Sequence, residues 1–125
     1  MKRWLLLLLA TLTFAAGCGT IAPAPPDIPR VEFLFPMDGV TVIEGTDLQI
    51  GVVAQDSAGV ARIELSIDDL PHQAAAPTEL ASVPTFTVDM NWLARGAGLH
   101  SLTAVAYRLD GTASDPAIIR VNVGS

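Results

Sequence analysis

Few side chains in this chain have types and placements that invite chemistry. They are one thiol, Cys18; two imidazoles, His72 and His100; and 13 carboxylates, of which Asp56, Asp110 and Asp115 sit in turn-like segments. Nucleophilic catalysis needs a nucleophile with a base in hydrogen-bond reach. The sequence has no Gly-x-Ser-x-Gly elbow, and its two histidines are 28 positions apart. Zinc asks for three or four ligands, and two distant histidines with no thiol near either do not supply them. Paired carboxylates can be drawn in many ways from 13 acids, but acids in turns ordinarily serve turn geometry. The expectation is a chain without catalysis.

The surroundings of Cys18 give its meaning. Lys2 and Arg3 precede an apolar run from Trp4 to Ala16, and Ala15, Ala16 and Gly17 lead directly into Cys18. A positive start, a short apolar stretch and small residues at a cut make the layout of a secretory signal peptide. As a helix the run rises about 20 Å, short of the ~30 Å hydrocarbon core, so it is not read as a membrane span. Small residues followed at once by cysteine resemble the bacterial lipobox. That resemblance implies that residues 1–17 are removed, that Cys18 carries covalent lipid, and that the rest is tethered to a membrane outside the cytoplasm. Gly19, in place of Asp, implies sorting to the outer membrane where a bacterium has two.

Residues 18–125 keep five arginines, no lysine and all 13 acidic side chains, a formal net charge of −8. Nucleic acid and anionic bilayers are bound through clustered Lys or Arg, so neither is an expected partner by charge. No internal disulfide can form from one cysteine. Between Gly19 and Pro29 four prolines alternate with small residues, a composition that favours extended polyproline conformation. Residues 18–30 are read as a tether reaching up to about 40 Å.

From Val31 onward short apolar runs of period two alternate with turn residues, the pattern of an all-β sandwich. Val31, Phe33 and Phe35 make a first run, stopped at Pro36 and the Asp38–Gly39 turn; Val40 to Ile43 make a short second run. Leu48, Ile50, Val52 and Ala54 alternate with polar or small residues until Asp56 to Gly59. Ala61, Ile63, Leu65 and Ile67 point one way, Arg62, Glu64, Ser66 and Asp68 the other, so one face is core and one is wet. Residues 69–83 are read as a variable connection with room for one edge strand. Further runs are Thr85 to Met90, Ser101 to Tyr107 and Ile118 to Val123, for a total of about seven strands.

Two blocks carry a resemblance. Val53 to Leu65 is similar to the A-x-D-x-x-G-V-x-x-V-E-L stretch of bacterial Ig-like domains. Trp92, Gly98, His100, Leu102, Ala104, Ala106, Asp110 and Gly111 resemble a second stretch of that family. The resemblance implies an antiparallel Ig-like β-sandwich over residues 31–125, with His100 and Trp92 as framework positions. Leu70 stands where the family often has a Gly after Asp69, which implies a longer turn. In an Ig-type sandwich the Asp56–Gly59 and Asp110–Asp115 loops share one end. Asp56, Asp110 and Asp115 are then candidate calcium ligands, with turn capping as the plainer role. Trp92 and Tyr107 are candidate sugar contacts, Trp92 more simply a core residue and Tyr107 on the outward register. No other cofactor is expected. The chain is read as a lipid-anchored surface module for a protein or glycan, with a carbohydrate-binding module or an accessory subunit of a separate enzyme or transporter as alternatives.

Overall fold

A computed structural model describes residues 27–125. Cys18, the expected signal segment 1–17 and the expected tether before Asp27 lie outside the described residues. Eight strands follow in order: β1 Arg30–Phe35, β2 Val40–Ile43, β3 Asp47–Val60, β4 Arg62–Ile67, β5 Leu70–Ala75, β6 Val83–Leu93, β7 Gly98–Tyr107 and β8 Ala117–Gly124. They form two sheets, one ordered β1-β3-β6 and one ordered β2-β8-β7-β4-β5. Every pairing is antiparallel except β2 with β8, a parallel pair that departs from the all-antiparallel expectation. The alternation puts Ile50, Val52, Ile63, Leu65, Leu102, Ala104 and Val121 between the sheets, each 1% exposed or less. Burying each of the Ile, Leu and Val side chains contributes about 1.5–3 kcal/mol, the main favourable term.

Several sequence expectations are corrected. The count rises to eight because the edge strand for which the 69–83 connection had room does form, as β5 in its near half. Its residues are mostly exposed and lack apolar alternation, so only its ladder with β4 defines it. The β4–β5 turn is not longer. Ile67 pairs with Leu70, leaving Asp68 and Asp69 as a two-residue turn, both at positive φ (50° and 65°). That is the backbone twist a tight hairpin requires, and Asp tolerates it. Asp56 to Gly59 do not end their strand. They bulge out of β3 between Gln55 and Val60, which both still pair with β6. Gly59 is needed there, since a Cβ would meet Ser82 Oγ at 2.6 Å.

Pro29 is fully buried and β1 begins at Arg30. The Asp38–Gly39 turn is not at an end of the sandwich. Asp38 Oδ1 accepts from the Arg120 backbone N–H at 2.8 Å, halfway along β8, where the chain crosses between sheets. The end opposite the tether is closed by Glu44–Thr46 and Gly96–Gly98. There Gly45 N–H donates to the Ala94 carbonyl at 2.7 Å and Gly96 N–H to Glu44 Oε1 at 3.1 Å.

Candidate functional site

At the tether end the cation is an arginine. Arg108, just past β7, donates from Nε to Asp56 Oδ2 at 2.6 Å and from its NH2 group to Asp56 Oδ1 at 2.8 Å. The same guanidinium lies 3.3 Å from Asp27 at the start of the described chain. Asp56 has a side chain only 1% exposed. The Arg108 hydrogen bonds outweigh the effect of burial and hold its carboxyl below the usual range. Asp110 instead accepts from the Thr112 backbone N–H at 2.9 Å, capping its own turn. Asp115 borders a separate surface hollow with Ile28 and Pro29. The loops converge, but Asp56, Asp110 and Asp115 do not form a ligand set. Among the described residues no group of three or more His, Cys, Asp or Glu is placed to hold a metal ion.

Both histidines are engaged. His100 Nδ1 lies 2.6 Å from Asp68 Oδ2 and Nε2 lies 2.5 Å from the Gly96 carbonyl. Two acceptors for two ring nitrogens favour the imidazolium. The Gly96 carbonyl first, and then Asp68, raise the His100 pKa above its ordinary value. Trp92 packs edge-on against this ring, centroids 5.1 Å apart. At 8% exposure Trp92 belongs to the core and is closed to a ligand. His72, on β5, bonds the Asn91 carbonyl of β6 at 2.8 Å, and Gln73 accepts from the Asn91 N–H at 3.3 Å. These two side chains bridge the gap between the sheets and occupy the β6 edge at Asn91.

Tyr107 lies on the outer face of the five-stranded sheet, as its register predicts, but its ring is covered. Arg62 sits 4.0 Å above the ring centroid, and Arg62 also pairs with Glu64 at 3.0 Å. Burial and the adjacent Glu64 carboxylate push the Tyr107 phenol up.

Among the described residues the open aromatic is Phe35, which period two would set on the same face as Val31 and Phe33. A bulge changes that. Phe33 pairs with Val52, while Phe35, two residues on, pairs with Gly51, so Leu34 is extra. Phe35 is thereby turned to the outer face of the three-stranded sheet, 40% exposed. A Cβ on Gly51 would have the Phe35 carbons Cδ1, Cε1 and Cζ all within 2.8 Å. Three consecutive ring carbons come that near one point only when the ring lies flat across it. A single Gly inside the otherwise regular 48–54 alternation was the signal for this close approach.

Residues 29–104, more than half of the chain, match the family described as "Bacterial Ig domain". The chain belongs to that family. Among solved structures it is similar to the fibronectin(III)-like modules of Clostridium thermocellum CbhA. The TM-score is 0.58 at 22% identity, covering 75% of this chain and 95% of that one. A PKD domain of an M14-like peptidase from Thermoplasmatales archaeon SCGC AB-540-F20 matches with a TM-score of 0.58 at 18% identity, covering 82% and 98%. A chitin binding domain from Burkholderia pseudomallei matches with a TM-score of 0.53 at 18% identity, covering 69% and 57%. At these identities the likeness is one of fold. No curated protein sequence matches the chain.

Proposed function

We propose that this chain is a non-catalytic Ig-like module, anchored outside the cytoplasm by lipid on Cys18, that contacts a protein or glycan at the cell surface. The observation that carries the non-catalytic reading is that the groups best suited to acid–base work are already committed. His100 is held by Asp68 and Gly96, His72 by Asn91, and Asp56 by Arg108. A general base must instead be free to reach a substrate proton. The lipid reading is supported by the order of charged start, short apolar run, small residues and sole cysteine.

Membrane fractionation tests the anchor. Several acyl chains at about 0.8 kcal/mol per buried CH₂ hold a protein firmly, so Cys18→Ser is expected to release the domain or leave the precursor uncut. A Cys18→Ser protein that is correctly cleaved and still sediments with membranes overturns the anchor. For the binding role, the full-length chain is captured from detergent extract with its native anchor. Co-purification of a hydrolase or transporter would make it an accessory subunit, whereas retention on polysaccharide would make it a glycan module.

A further inference from the structure

We infer that the outer face of the three-stranded sheet, with the Phe35 ring as platform, binds an uncharged polysaccharide. This rests on the binding-module reading and gives it a site and a ligand class. Phe35 lies flat on Gly51 with its other face toward solvent. An aromatic face carries negative charge density and attracts positive edges. The C–H side of a pyranose ring offers such an edge and is flat enough to cover the platform.

The surface beside the ring supplies what the hydroxyls need. A depression of about 170 Å³ lies on the same face, lined by Arg30, Val31, Glu32, Val53 and Gln55. Arg30 brings donors, Glu32 acceptors and Gln55 both, the usual mix of an apolar patch with a few polar groups. From Gly51 to Gln55 is four residues along β3, about 13 Å, longer than one sugar ring. The site therefore suits a chain of sugars laid along the strands. Charge selects among them. By register this face carries Glu32, Asp47 and Asp89 against Arg30, on a domain of net charge −8, so an anionic polymer is repelled.

The test is native gel electrophoresis of the full-length chain in detergent, through gels containing glucomannan, hydroxyethylcellulose or glycol chitin, with alginate as the anionic control. The expected result is retardation in at least one uncharged gel and none in alginate. Phe35→Leu still covers Gly51 but loses the flat ring, and is expected to weaken retardation at least tenfold; Phe35→Trp is expected to retain it. Should Phe35→Leu melt too early to use, the double change Arg30→Ala with Gln55→Ala leaves the ring and is expected to weaken binding at least threefold. Two results overturn the inference. Variants that bind like the wild type in a gel that retards it put the glycan elsewhere and leave the proposed function standing. No retardation in any uncharged gel removes the glycan, and the binding role then depends on the protein captured from extract.

Discussion

His100 and Asp68 each hold the other's charged form, and the two titrate in opposite directions. Burial alone would raise the Asp68 pKa, but hydrogen bonds from His100 and the Ser101 N–H bring it below its ordinary value. Its contribution to stability is complete above its unfolded value and lost as pH falls through the lower folded one. For His100 the folded value is raised, so its contribution is complete below about 6.5 and lost as pH rises through the folded value. The pair stabilises most between about pH 4 and 6.5. Urea midpoints are expected to fall between pH 6 and pH 9, and His100→Gln should flatten that slope. An unchanged slope in the variant would assign the pH dependence to other groups. At the tether end, Asp56→Ala removes the two-pronged partner of Arg108, leaves it only the exposed Asp27, and is expected to lower the urea midpoint, whereas Asp27→Ala should shift it far less. Because Arg108 already serves Asp56, chelator and millimolar calcium are expected to give the same melting temperature. A calcium-dependent rise would reopen Asp56, Asp110 and Asp115 as ligands.

Strand β4 shows how much of the fold can be read from a clean alternation. Ile63 and Leu65 are buried and Ile67 nearly so, while Arg62, Glu64 and Ser66 stay half-open. Leu65→Ala is expected to cost about 2–5 kcal/mol, whereas Glu64→Ala, losing one exposed ion pair, should cost under about 1 kcal/mol. Equal costs would contradict the register. The same alternation made β3 and β7 legible, because one face of each is core. It failed where backbone geometry breaks the period. The bulge at Leu34 moved Phe35 to the surface, and β5 pairs through its backbone with side chains that bridge to Asn91. The tight β4–β5 turn was missed because Asp69 adopts the left-handed conformation that glycine usually supplies. That conformation costs a non-glycine residue roughly 1–2 kcal/mol, partly offset by glycine's greater unfolded entropy of about 0.5–1 kcal/mol. Asp69→Gly is accordingly expected to raise stability by about 0.5–1 kcal/mol, seen as a higher melting temperature.

At the scale of the whole molecule, the strand directions set which surfaces face a membrane. β1 starts at Arg30, beside the bulge at Asp56–Gly59 and the loop after Tyr107, and the Asp27–Arg108 contact ties the incoming chain to that end. The turns at Glu44–Thr46 and Gly96–Gly98, with Gly124, lie at the other end. With the proposed anchor on Cys18, the acidic loops then point toward the bilayer and the Gly96–Gly98 end points away. The Phe35 face stands along the side, reachable by a polymer lying across the surface. If residues 18–30 extend as their prolines favour, a span of up to about 40 Å exceeds the ~10 Å screening length, and charge repulsion between the loops and anionic lipid is small. Ala58 and Ala97 are both exposed, one at each end. Cysteines introduced singly at these positions on intact cells, with Cys18 acylated and silent, report the orientation. A bulky thiol reagent is expected to label position 97 faster than position 58, because the membrane shields the tether end. Faster labelling at 58 would mean that the domain folds back on its tether, and it would place the binding surfaces toward the bilayer.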